Sequence, residues 1–376
     1  MNLVSKKIIS VRIFLLLVFC LSWSVGILQA DELTGDHARA EAAVLVSKTQ
    51  DLESKILDGI RWSWIVERGR SKVSEKSLSE FPEFDSEQPI DRYQCQWLTN
   101  HQTMLLKQTA QQPQRILSTD KNLRIISATS RPYHYLQTAK SCLVLNAPQP
   151  AQADGRMMPT ISYGRVGTVE LNNTSSLQPT MLPLHSGSFA LRHLRVLQER
   201  IEDPENKIVI TNAKTNLGAQ ARLIKISKLN GMSMDYYFDP ETSLLVQDDT
   251  FYEGKIISKS IVLKTHEIRN AESSITIPAK VIAWFGRQNG SWHISDYTIS
   301  SAKLEAVPLQ EMKIDIPIQN PKFAVAPPAR LLHVRMPGVR EITGAGLDDF
   351  VKEVIAVAKQ TTRETYQRQE ARRRKR

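Results

Sequence analysis

Few residues in this sequence are grouped as catalysis requires. His185-Ser186-Gly187-Ser188 precedes an apolar pattern of helical period. There, backbone amides at a helix mouth hold an anion, or Ser188 simply caps the first turn. Asp248-Asp249, with Glu253 nearby, fits either a bound cation or a solvated turn. No Gly-x-Ser-x-Gly elbow, phosphate loop, dinucleotide fingerprint or paired-histidine metal helix occurs. The eight histidines are scattered without metal-ligand spacing. No catalytic residue, metal or cofactor is therefore assigned, and the chain reads as a non-enzyme. A hydrolase assembled from distant strands is the enzymatic alternative. Asn172, Asn173 and Asn289 begin N-x-Ser/Thr sequons, which matter only in a glycosylating host.

Three other groups carry more information. Trp62, Trp64, Tyr93, Trp97, Tyr236, Phe238, Trp284 and Phe285 fall on strand-like segments. Their ordinary role is core. On a curved sheet that fails to close, Trp62, Trp64, Tyr236 and Phe238 would instead line an apolar ligand cavity. Cys95 and Cys142 allow one pairing, closing a loop of about 48 residues worth roughly 4 kcal/mol. The other reading is two buried free thiols on strands that never meet. Finally, Arg372, Arg373, Arg374, Lys375 and Arg376 form a basic terminus, read as a flexible solvated tail or as an attachment to anionic lipid or another polyanion.

Those residues need elements to place them. From Asp36 to Leu57, apolar side chains recur at helical spacing, and Gly59 is expected to end the helix in the left-handed conformation glycine favours. Alternation then takes over. Ile60–Val66, Tyr93–Trp97, Thr103–Thr109, Ile116–Ser118 and Leu123–Ala128 read as strands joined by polar turns. The span 146–187 loses regularity and reads as a surface excursion. A second helix is expected over Ser188–Ile201. A second strand series follows: Lys207–Thr211, Ala221–Leu229, Ser233–Phe238, Leu244–Gln247, Lys255–Lys264, Ile275–Phe285 and Ser291–Ser301. Asp239-Pro240-Glu241-Thr242 and Arg287-Gln288-Asn289-Gly290 supply turns. After Ile316, repeated prolines suggest an extended surface run, before a last helix with Leu347, Phe350, Val351, Val354 and Ala358 on one face.

The first thirty residues read as an export signal: Lys6, Lys7 and Arg12, then an apolar run, with Ala30 as the expected cleavage position. A retained anchor is the alternative. An exported chain, periplasmic or secreted, is expected, with about 346 residues after cleavage. The formal charge is +10. Seven basic residues against Glu364 and Glu370 leave +5 on Arg363–Arg376. With three more basic residues in the signal, the body carries only about +2. The basic balance thus belongs to the terminus, and no nucleic-acid partner is expected.

The segment MDYYFDPETSLLVQDD, with SIVLKTHEI, ITIPAKVIAWF and the extended run after them, resembles the LolA/LolB-like periplasmic lipoprotein carrier superfamily. That resemblance implies an α+β fold: a curved antiparallel β half-barrel with helices packed on its concave face. The chain is expected to divide into the signal (1–30), a LolA-like β-rich domain with the irregular segment 146–187 (31–340), and a C-terminal helix with basic tail (341–376), the irregular segment, helix and tail being departures from the family pattern. The resemblance also implies a lipid or lipidated protein as ligand. The alternative is an envelope or extracellular interaction protein whose sheet encloses only a filled core.

Overall fold

A computed structural model describes residues 32–71, 84, 90–101, 103–111, 116–119, 125–128, 133–146, 164–168, 197–270, 273–286, 292–316, 321–325 and 332–374. The expected signal, most of 146–187, the His185–Ser188 motif, the sequons, residues 188–196 of the second helix, the Arg287–Gly290 turn, Lys375 and Arg376 lie outside them.

The first half of the chain gives an N-terminal helix (Gly35–Asp58) and nine strands. These are β1 (Leu33–Thr34), β2 (Arg61–Ser71), β3 (Asp91–Asn100), β4 (Thr103–Ala110), β5 (Ile116–Thr119), β6 (Ile125–Ala128), β7 (Tyr133–Gln137), β8 (Ser141–Asn146) and β9 (Gly164–Thr168). A helical stretch at 197–202 leads into β10 (Lys207–Lys214), β11 (Gln220–Ser227), β12 (Met232–Phe238), β13 (Leu245–Tyr252), β14 (Lys255–Arg269), β15 (Ser274–Gly286) and β16 (Trp292–Lys303). Four short strands follow: β17 (Lys313–Asp315), β18 (Lys322–Val325), β19 (Leu332–Arg335) and β20 (Glu341–Thr343). A C-terminal helix (Leu347–Arg374) ends the described chain.

Sixteen strands share one sheet in the order β1-β10-β11-β12-β13-β14-β15-β16-β2-β3-β4-β7-β8-β9-β18-β19. Two antiparallel meanders, one from each half of the sequence, are joined along β16 and β2. Only β9 and β18 pair in parallel among the described strands. The sheet does not close, since β1 and β19 end it without pairing to each other. Register shifts between Tyr237 and Phe238, Thr250 and Phe251, Val262 and Thr265, and Ile299 and Ser301 interrupt the central pairings. Such bulges bend strands and add twist, and an open sheet of this width curls rather than staying flat.

Each face of the sheet carries buried side chains. Trp62, Trp64 and Val66 on β2 share a face with Tyr93, Cys95 and Trp97 on β3, Leu106 on β4, Tyr135 on β7 and Tyr297 on β16. The N-terminal helix packs on this face, its Ile56 among those residues and its Ala38, Ala42, Leu45 and Val46 against β10–β13. The neighbours in sequence point the other way. Leu98, Leu105, Leu136 and Leu143 meet Ile314, Phe323, Val334 and Leu347, Val351, Val354 and Ala358 of the C-terminal helix. The expectation of helices on one face thus needs correction: the C-terminal helix lies opposite the N-terminal one. The proline-punctuated run after Ile316 is also more than a surface excursion. It contributes β18 and β19, whose Phe323 and Val334 are buried.

Local chemistry accounts for the joints. The Asp239 turn forms as expected, with its carboxylate accepting from the Glu241 amide (3.0 Å) and the Thr242 amide (2.7 Å). Gly59 is needed for a different reason from the one anticipated. Its φ of 173° is extended, not left-handed. A Cβ there would lie 2.6 Å from the Ala306 backbone, so glycine is required by close approach.

Candidate functional site

The face beneath the N-terminal helix carries the candidate site. At its base, Trp62 stacks obliquely on Trp64 (ring centroids 5.6 Å apart) and on Trp97 (5.9 Å). Strand alternation puts the three indoles together, because Trp62 stands directly opposite Trp97 across the β2–β3 pair. All three indole N–H groups are buried, and none has a hydrogen-bond acceptor among the described residues. A buried donor without a partner costs about 1–3 kcal/mol, so three together are unusual in a settled core.

The same face turns polar further along the strands. Tyr236 stands opposite Asp248, Asp248 opposite Ser260, Ser260 opposite Ala283, Ala283 opposite Ser295, Ser295 opposite Arg68, and Arg68 opposite Asp91. This row crosses seven strands. Asp248, Ser260 and Ser295 are buried, and the Ser260 hydroxyl has no hydrogen-bond partner among the described residues. Arg200 of the 197–202 stretch donates to the Tyr236 hydroxyl (2.6 Å). Burial pushes that phenol up to about 12. Four residues along β2 separate Trp64 from Arg68, about 13 Å at strand rise. The face therefore offers an aromatic base and a polar row within the length of one small amphiphile.

Trp62, Trp64, Tyr236 and Phe238 do share this side of the sheet, but not one pocket. They are 0–2 % exposed, the first two among β2–β8 and the last two against the front half of the N-terminal helix. The space over them is filled by that helix, which is tied at both ends. Arg39 donates to the carbonyls of Ile201, Asp203 (2.9 Å) and Asn206 (2.6 Å). Thr49 donates to the Ser243 carbonyl (2.8 Å). Thr99 donates to the Ile56 carbonyl (2.6 Å) and accepts from the Ile60 amide (2.7 Å). Trp97 was legible as an aromatic strand residue. Arg68, Arg200, Ser260 and Ser295 were not singled out, because their alignment depends on long-range register that single-strand patterns do not contain.

Two other readings change. Cys95 and Cys142 are buried free thiols. They sit on β3 and β8, three strand spacings apart, about 14 Å, beyond the reach of a disulfide. Burial pushes both thiols up to about 12. Asp248 and Asp249 form neither a cation trio with Glu253 nor a solvated turn. They lie within β13 on opposite faces, and Asp249 pairs with Lys259 at 3.7 Å. Among the described residues, no group of three His, Cys, Asp or Glu side chains is placed to hold a metal. No helix among them is long and apolar enough to cross a membrane.

No family model matches this sequence, and no curated protein matches it. Among solved structures, the chain is similar to a DUF1329 family protein from Desulfovibrio piger, with 9% identity and a TM-score of 0.37 over 70% of this chain and 92% of that one. It is also similar to a LolA superfamily protein from Nitrosomonas europaea, with 11% identity and a TM-score of 0.35 over 71% of this chain and 94% of that one. At these scores no shared function follows.

Proposed function

We propose that this protein is a non-enzymatic binding protein that holds the apolar part of an amphiphile on the sheet face beneath the N-terminal helix. The observation that carries this reading is the cluster of three buried indole donors, at Trp62, Trp64 and Trp97, without acceptors among the described residues. An ester or amide carbonyl next to an acyl chain would accept from them, and the aromatic walls would bury the chain at about 0.8 kcal/mol per methylene. The polar row from Tyr236 to Asp91 would face the ligand's polar end. Binding on this face requires the N-terminal helix to shift, since it occupies the space over the indoles. The reading agrees with the role implied by the sequence resemblance to LolA/LolB-like carriers, whose ligands are lipidated.

A second reading has its own support. The helix is tied at both ends, and the nominated aromatics are almost fully buried, as in an interaction protein with a filled core. One experiment separates the two. The protein is purified from its own host and examined by native mass spectrometry, then titrated with brominated phospholipid while tryptophan fluorescence is followed. A retained lipid mass and strong quenching support ligand binding. Trp62→Phe/Trp64→Phe/Trp97→Phe, which keeps aromatic bulk but removes the donors, should then weaken lipid retention about tenfold or more. Charged replacements are unsuitable here, because they would unfold so buried a site. No co-purifying lipid and no quenching would leave the filled-core reading.

A further inference from the structure

The C-terminal helix continues far past the body it packs on. Its buried residues are Leu347, Val351, Val354 and Ala358. Beyond Ala358 every described residue is exposed except the half-buried Thr362. The free part from Lys359 to Arg374 is about 24 Å long at helical rise. The terminus read as a flexible tail or an attachment is thus helical at least as far as Arg374.

An unpacked helix of this length is marginal by itself. Here the packed half supplies the nucleus, and local bonds extend it. Gln360 donates to Glu364 (3.0 Å), Thr361 to the Val357 carbonyl (2.9 Å) and Thr365 to the Thr361 carbonyl (2.7 Å). Arg372, Arg373 and Arg374 occupy the last turn, where cations complement the helix dipole.

The arm has no apolar stripe. Tyr366 is its one exposed large apolar side chain among the described residues. That excludes a coiled coil with a second copy, which needs apolar residues every three or four positions. Arg372, Arg373 and Arg374 are consecutive, so they point about 100° apart and ring the tip. A ring of charge suits an extended anionic surface better than a groove that reads one helix face. The arm also leaves the sheet on the side opposite the N-terminal helix, so engaging it does not block the aromatic face.

We infer that the C-terminal helical arm docks the protein on an anionic lipid bilayer through Arg363, Arg368, Arg372, Arg373 and Arg374. A bilayer is favoured over nucleic acid because the basic and apolar N-terminal segment reads as a membrane-export signal. The arm's role is independent of what the aromatic face holds.

The test is co-sedimentation of the purified protein with phosphatidylglycerol-containing vesicles and with phosphatidylcholine vesicles. It compares wild type, Arg372→Gln/Arg373→Gln/Arg374→Gln and the matching Arg→Lys triple. These residues are exposed, so thermal melts should coincide across the three proteins. The Gln triple should lose roughly a hundredfold in partitioning onto anionic vesicles at low salt, at about one kcal/mol per basic residue. The Lys triple should bind like wild type, neutral vesicles should bind none of the three, and added salt should reproduce the loss. Equal binding by wild type and the Gln triple would overturn the inference. So would preferential binding to a duplex oligonucleotide that displaces the vesicles.

Discussion

Asp249 and Lys259 are a buried ion pair on the sheet face opposite Trp62, Trp64 and Trp97, with side chains about 5% and 6% exposed. They belong to a line of facing residues, Lys225, Asp235, Asp249, Lys259 and Trp284, that crosses five strands. Gln247 donates to Asp249 (2.9 Å), and the Lys259 ammonium lies 5.9 Å from the Trp284 ring centre. Burial pushes the Asp249 carboxyl up to about 6, and burial lowers the Lys259 ammonium. The sign for Asp249 follows from proton counting. Between about pH 4 and 6 the folded state holds a proton that the unfolded chain has released, so this group's contribution to stability is lost as pH rises through that window. Asp249→Asn should remove that slope from a denaturation series. Near neutral pH it relieves a buried carboxylate but leaves Lys259 buried without a counter-charge, so a net loss of stability would mark the two as a coupled pair. Asp249→Asn/Lys259→Met should recover most of the loss. If the single and double variants are equally unstable, the pair is not coupled as its geometry requires.

The elements were legible wherever a local signal sets them. Alternation at Trp62–Val66 and Tyr93–Trp97, helical spacing over Asp36–Leu57 and the Asp239 turn each appear in the structure close to where the sequence puts them. What was missed depends on distant partners. β13 runs to Tyr252 rather than stopping at Gln247, because from Gln247 onward it is paired on both sides, with β12 and with β14. β9 and β18 give little periodicity of their own and become strands by pairing with β8 and β19 and with each other. The candidate site was half legible: its aromatics declare themselves in single strands, while the polar row exists only once seven strands are in register. The helix-to-strand joint at Gly59 makes the same point, since glycine there answers to Ala306, almost 250 residues away. Gly59→Ala should drive a methyl group into that backbone and lower stability by about 2 kcal/mol. An unchanged midpoint in chemical denaturation would mean the helix end is held loosely, and with it the cover over the tryptophans.

At the scale of the whole molecule, two meanders from the two halves of the chain meet at β2 and β16, and the C-terminal residues close over the far part of that sheet. β20 pairs with β17, and Lys313 bridges to Glu341 at 2.7 Å. Leu347, Val351, Val354 and Ala358 then cover Leu143, Val166 and Val334. The chain beyond Arg340 is therefore two physically different pieces. Residues up to Ala358 fill a core, and removing them would expose a wide apolar face. The residues after Thr362 touch nothing that a core requires. Truncation after Arg340 should yield an aggregating or unfolded product, because several fully buried side chains are lost at about 2–5 kcal/mol each. Truncation after Thr362 should leave the unfolding transition within about 0.5 kcal/mol of wild type, since exposed residues away from packing contribute little. Both proteins are compared by thermal and denaturant unfolding. A large destabilisation of the longer product would place the arm within the fold, and a well-behaved shorter one would remove the C-terminal helix from the core that Leu347 and Val354 build.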